Sequence, residues 1–151
     1  MTKKSEQQIL REKEPPQIGK DLQLNTDFTK VDMHTACTYI IPLRIESSDR
    51  MRNIITTLLF LARNIKAPII VKEFDKESIY EQSVLPQISK VLSEEELSQI
   101  THVFEQSDEF TFHRTRLIND MIMMAKTPIV CNYDCDILLP IETHFTAAKM
   151  L

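Results

Sequence analysis

Short apolar runs alternate with polar stretches along the chain, and three of these runs are typical of buried strands. They cover residues 37–43, 68–75 and 128–133. The first run does not alternate between apolar and polar positions, which is typical of a strand covered on both faces of a sheet. A further run at 101–106 is also predicted as a strand.

Apolar residues at helical spacing lie between these strands. Residues 54–65 carry one apolar stripe and predict a helix that ends near Lys66, before Pro68. We expect Ser47, Ser48 or Asp49 to cap it. A second stripe predicts a helix over 112–125, and a short final helix is predicted over 141–150.

The middle of the chain, residues 76–100, is more polar and is predicted to be helical in pieces. Ser93 and Glu96 have the spacing of a capping box, in which a side chain and a backbone N–H at each position bond reciprocally. Alternating strands and helices predict an α/β fold of three α-β-α layers around a mostly parallel sheet.

Residues 1–34 are polar and lack a regular apolar period, so we expect a flexible N-terminal arm with local packing at most. The candidates for that packing are Ile9, Leu10, Leu22, Leu24 and Phe28. Residues 35–151 are expected to form the folded domain.

The single glycine, Gly19, excludes several phosphate-binding and catalytic motifs. The dinucleotide fingerprint, the Walker A loop and the nucleophile elbow all need glycines that this chain lacks. Any bound phosphate must therefore be held by side chains, a metal ion or helix termini. The net charge of −4 also removes the main electrostatic argument for nucleic-acid binding.

No apolar run approaches the roughly 20 residues that a membrane-spanning helix needs. The N-terminal region lacks the apolar stretch of a signal peptide, so a cytoplasmic location is expected. The three cysteines have no CxxC spacing, and we interpret them as small apolar residues rather than as disulfide partners or zinc ligands.

Polar residues follow each predicted strand, at the edge where parallel sheets bind ligands. Asp134 and Asp136, separated by one residue, come directly after the last strand. Two carboxylates at this spacing suit Mg²⁺ or Mn²⁺, which can bridge them to a diphosphate. The alternative is that both are solvated turn residues.

Two stretches around this pair resemble a known family. Residues 112–120, with the sequence FHRTRLIND, and 125–140, with AKTPIVCNYDCDILLP, resemble the DxD region of GT-A-fold glycosyltransferases. The similarity is to family 2-like, chondroitin-synthase-like and galactosyltransferase-like members. Residues 39–44 and 69–75 resemble the first two strands of that fold, so the resemblance covers about 37–151.

The resemblance implies roles for individual residues. Asp134 and Asp136 would bind the divalent cation and, through it, the diphosphate of a nucleotide sugar, expected to be a UDP-sugar. Asp136 would be the more direct ligand, and Asp134 would lie nearer the ribose or the sugar. The remaining implied donor-site residues are Pro42 and Arg44 along the nucleotide, Glu73 or Asp75 facing the base, and Arg114 and Asn119 on the helix.

The chain also departs from the family pattern. Asp120 replaces a small residue after the helix asparagine, and only residues 137–151 follow the DxD. The family's acceptor pocket and catalytic base lie in that later segment, so no base can be named here. We therefore expect a truncated, donor-binding half of the fold.

The predicted function is a metal-dependent glycosyltransferase, or its donor-binding portion, acting on an unknown glycan, lipid or protein acceptor. A second copy or a partner chain could complete its site. The alternative is a non-catalytic module that binds a nucleotide sugar or another protein while keeping the fold.

Overall fold

A computed structural model describes residues 31–151. The predicted packing residues of the arm, from Ile9 to Phe28, lie outside this range. The strands are β1 Cys37–Leu43, β2 Ile69–Asp75, β3 Ile100–Gln106 and β4 Ile129–Asn132. The α-helices are α1 Met33–Ala36, α2 Ser48–Asn64, α3 Leu85–Ile88, α4 Glu94–Ser98, α5 Arg114–Met124 and α6 Ile141–Met150, with a π-helix at Tyr80–Val84 before α3.

The described strands form one parallel sheet in the order β3-β2-β1-β4. Strands β2 and β3 therefore follow β1 on one side, and β4 lies on the other side of β1. This confirms the α/β class and a parallel sheet flanked by helices. The strand order itself was not predicted.

Two apolar clusters cover the two faces of the sheet. The larger joins β1 and β2 with α2, the π-helix, α3 and α6, and contains the fully buried Ile41, Leu58 and Val71. The smaller packs Leu117 and Met121 of α5 against Ile40 and Phe74. Helices therefore lie on both faces, which is compatible with three α-β-α layers.

Helix α2 begins as predicted. The Ser47 side chain accepts a hydrogen bond from the Arg50 backbone N–H at 3.2 Å, which satisfies one of the unpaired donors of the first turn. The helix ends at Asn64, and Lys66 adopts a positive φ of 57°. A left-handed residue commonly ends a helix, although glycine usually occupies this position.

The capping box at Ser93 is also confirmed: its side chain accepts from the Glu96 backbone N–H, and the Glu96 carboxylate accepts from the Ser93 N–H.

The three cysteines are free, with Cys37 and Cys135 buried. Burial raises the pKa of Cys37 to about 12, as expected for a thiol that serves as a core residue. Among the described residues, no helix is long and apolar enough to span a membrane.

Candidate functional site

The carboxyl ends of the four described strands lie at one edge of the sheet, because these strands are parallel. Within the order β3-β2-β1-β4, the chain reverses its direction of growth between β1 and β4. Open α/β sheets bind ligands outside the carboxyl ends of their strands at such a switch point. Residues that follow β1 and β4 are therefore the first candidates for a site.

The turn after β4 exposes both carboxylates of the predicted pair. Tyr133 and Cys135 are buried on either side of Asp134, and the Thr57 hydroxyl donates a 2.9 Å hydrogen bond to the Cys135 carbonyl. Because alternate residues are anchored in the core, Asp134 and Asp136 both remain exposed. The aspartate spacing thus places two accessible carboxylates at the switch point.

Arg114 and Asp134 form an ion pair across twenty residues of sequence. Arg114 is the first residue of α5, and its guanidinium donates to the Asp134 carboxylate while both side chains stay about half exposed. The structure thereby brings together two of the predicted site residues. A cation that binds Asp134 would have to replace Arg114 as its positive partner.

Glu73 and Asp75, the two alternatives for an acid facing the base, lie in very different surroundings. Glu73 is fully buried, and its carboxylate accepts hydrogen bonds from the Ser78 hydroxyl at 2.7 Å and from the Tyr80 backbone N–H at 3.0 Å. The His102 Nε2 lies 3.1 Å from the same carboxylate. Asp75, at the end of β2, is only partly buried, so it is the acid that remains accessible to a ligand.

The pKa of Glu73 reflects this environment. Burial raises it, since a carboxylate loses hydration, but the hydrogen bonds from His102, Ser78 and the Tyr80 N–H stabilise the charged form more strongly. The net result is a pKa below the ordinary glutamate value. Glu73 is therefore an ionised, buried bridge between β2, β3 and the π-helix.

Arg44 follows β1 and is buried, together with Pro42, which lies inside the strand. Its guanidinium donates to three backbone carbonyls: Phe74 at 3.0 Å, Phe110 at 2.7 Å and Glu109 at 2.8 Å. The side chain thus ties the ends of β1 and β2 to the loop 107–113. Its charge also lies 5.0 Å from the centre of the Phe74 ring, a cation–π contact.

Asn119 is exposed on α5, five residues along the helix from Arg114. Its neighbour Asp120, the departure from the family pattern, accepts a 2.5 Å hydrogen bond from Lys72, which also lies 3.0 Å from Glu105. Burial opposes the charge of Lys72, but these two carboxylates outweigh it and raise the lysine pKa. Asp120 therefore has a structural partner in this chain.

Phe110, which the sequence analysis did not single out, lies in the loop that Arg44 holds, and 98% of its surface is exposed. The available signal was one aromatic residue within the polar run 107–111. Phe110 is one of the residues that line a cavity of about 450 Å³ at the sheet edge, together with Arg44, Glu46 and Asp75.

The residues present suit a hard divalent cation only together with a ligand. Within residues 31–151, no group of three or more metal-ligating side chains is assembled. Mg²⁺ commonly binds through one or two carboxylates and completes its shell with water and substrate phosphates. Asp134 and Asp136 supply that number of carboxylates, so a diphosphate would have to provide further ligands.

Comparison of the chain with models of known protein families gave no match. Comparison with curated proteins also gave no match.

Proposed function

We propose that this chain binds a nucleotide-diphosphate sugar, with a UDP-sugar the first candidate, as the donor-binding part of a metal-dependent glycosyltransferase of the GT-A type. Asp134 and Asp136 would hold Mn²⁺ or Mg²⁺, and the cation would hold the diphosphate. The observation that carries the proposal is the exposure of both aspartates at the switch point between β1 and β4.

The surroundings of this turn support a bound anion. Helix α2 follows β1 at the same edge of the sheet, and its first turn carries Arg50. Burial raises the pKa of Cys135 within the aspartate turn, and the positive charge of Arg50 partly opposes that rise, which indicates that Arg50 lies near the turn. The backbone N–H groups at the start of a helix also favour a negatively charged ligand. Arg114 supplies a second cationic side chain directly beside Asp134.

These residues match the needs of sugar transfer. When the bond between the sugar and the diphosphate breaks, negative charge grows on the leaving diphosphate, and a bound cation stabilises that charge. The two aspartates would position the cation. Arg114, once released from Asp134, would donate hydrogen bonds to the leaving group. Asp75, the accessible acid at the end of β2, would accept one from the base.

The test is titration of the protein with UDP, with and without Mn²⁺. Binding is measured by calorimetry and by the shift in the temperature of thermal unfolding. UDP should raise the unfolding temperature of the wild-type protein in the presence of Mn²⁺, because a ligand that binds only the folded state stabilises it. Asp134→Asn and Asp136→Asn should each weaken Mn²⁺-dependent UDP binding by more than about tenfold, since even residues that merely orient metal ligands contribute that much.

Glu95→Gln is the matched control, because it removes one exposed carboxylate on α4, away from the aspartate turn. It should bind UDP as the wild type does. Equal UDP binding by the wild type and both aspartate variants would contradict the metal site. Binding of a UDP-sugar without hydrolysis or transfer would instead favour the non-catalytic module.

A further inference from the structure

Phe110 combines an exposed side chain with a held backbone. The residue is 98% exposed, yet its carbonyl accepts a 2.7 Å hydrogen bond from the buried Arg44. The preceding residue is held as well, since the Glu109 carbonyl accepts from Arg44 at 2.8 Å and the Glu109 carboxylate contacts His113 at 2.6 Å. The ring is therefore presented to solvent from a fixed backbone position.

The loop that carries Phe110 connects the two parts of the proposed site. It begins at the end of β3 and reaches Arg114, the partner of Asp134, four residues after Phe110. On the other side, Phe110 and Asp75 line the cavity of about 450 Å³. Asp75 is the last residue of β2, and β1 lies between β2 and β4 in the sheet. Two strand spacings place β2 about 10 Å from β4.

The charges around the cavity indicate which part of a nucleotide fits there. Four of its lining residues are acidic, namely Glu46, Asp75, Asp108 and Glu109, against two basic residues, Arg44 and Lys76. Phosphate groups are disfavoured in such surroundings. A neutral ring with N–H donors is favoured, because carboxylates accept its hydrogen bonds.

We infer that Phe110 is a stacking platform for the nucleobase of the bound nucleotide, with the base in this cavity and the diphosphate directed towards Asp134 and Asp136. The inference rests on the proposed function and adds a base-binding residue to it. Because the backbone of Phe110 is already held, the loop itself loses little conformational freedom when a planar base stacks on the ring. Such stacking contributes substantially to binding.

The chain contains no tryptophan, so Phe110→Trp introduces a single indole at this position. Titration with UDP and Mn²⁺ should change the indole emission of this variant. Met123→Trp is the matched control, since Met123 is 85% exposed near the end of α5 and away from the cavity. Its indole emission should not respond to UDP.

Phe110→Ala should weaken UDP binding by about tenfold, the lower part of the range for one base–aromatic stack. Binding of inorganic diphosphate with Mn²⁺ should stay unchanged in this variant, because that ligand has no base. Wild-type affinity for UDP in Phe110→Ala, together with an unresponsive indole in Phe110→Trp, would overturn the stacking role while the proposed function stands. If the wild-type protein itself does not bind UDP with Mn²⁺, the proposed function fails as well.

Discussion

The two carboxylates of the aspartate turn differ in their contacts, and therefore in their accessibility to a cation. Asp134 and Asp136 have the same chemistry and lie two residues apart. Within the described residues, Asp134 forms an ion pair with Arg114, and Asp136 does not. The two carboxylates are therefore not equivalent. Asp136 is available to a cation directly, whereas Asp134 must first lose an existing partner.

Arg114→Gln should consequently strengthen Mn²⁺ binding in the absence of nucleotide. An exposed ion pair contributes up to about 1 kcal/mol, so the gain should reach at most about fivefold. Binding of UDP with Mn²⁺ should weaken, because a positive charge beside the diphosphate is lost. Mn²⁺ affinity can be measured from the electron paramagnetic resonance signal of the free ion.

Arg116→Gln is the control for this prediction. Arg116 lies on the same helix, is equally exposed and is paired with a different acid, Glu105, at 2.6 Å. Its replacement should leave Mn²⁺ affinity unchanged. If Arg114→Gln also left it unchanged, Arg114 would not compete with the cation at Asp134.

At the scale of elements, the polar contacts of Glu73 join three segments. The carboxylate lies on β2 and His102 on β3. Ser78 lies just before the π-helix, and the Tyr80 N–H belongs to its first residue. His102 also stacks on Tyr80, with ring centres 4.0 Å apart. The buried charge of Glu73 therefore holds the start of the π-helix against the end of β2.

Glu73→Gln should lower the free energy of unfolding by about 2 kcal/mol at neutral pH, the range for hydrogen bonds to a buried charged group. The folded pKa of Glu73 lies below its unfolded value, so its contribution is present above the unfolded pKa and is lost as the pH falls through the folded pKa. The difference between the two proteins should therefore shrink in acid. Urea unfolding between neutral and acidic pH measures it.

Glu81→Gln provides the comparison, because Glu81 lies 3.8 Å from the same histidine but is mostly exposed. Its removal should change the free energy of unfolding by less than about 1 kcal/mol. A pH-independent difference between wild type and Glu73→Gln would show that Glu73 is not the ionised partner described here.

At the scale of the whole molecule, a buried polar contact within an apolar interface attaches α6 to the sheet. The Tyr39 hydroxyl of β1 lies 2.7 Å from Nδ1 of His144 on α6, and Phe145 and Ala148 pack against the same core cluster. Burial lowers the pKa of His144 and raises that of Tyr39, so both groups are neutral at neutral pH. A hydrogen bond between neutral groups therefore links the beginning and the end of the described chain.

Tyr39→Phe should destabilise the protein by about 1–3 kcal/mol, because it leaves a buried nitrogen of His144 without its partner. The substitution should accelerate amide hydrogen exchange more in α6 than in α5, which packs on the opposite face of the sheet. Equal acceleration in both helices would indicate a global loss of stability and would contradict a local attachment through Tyr39.

The sequence by itself determined the local elements and the fold class of the described residues. The hydrophobic runs of β1, β2 and β4 and the stripe of α2 are read directly from periodicity, because a buried strand or helix face needs apolar side chains at fixed intervals. The caps at Ser47 and Ser93 were predictable for a similar reason, since each involves residues only three positions apart. The position of the two aspartates after a strand was also visible.

Only the tertiary structure decided how these elements meet. The strand order, the choice of Asp75 over Glu73 as the accessible acid and the pairing of Arg114 with Asp134 depend on residues far apart in the chain. The same holds for Arg44, whose charge is satisfied by carbonyls 30 to 66 residues away. Periodicity states which face of an element is buried, but the packing of distant elements sets which polar groups remain accessible.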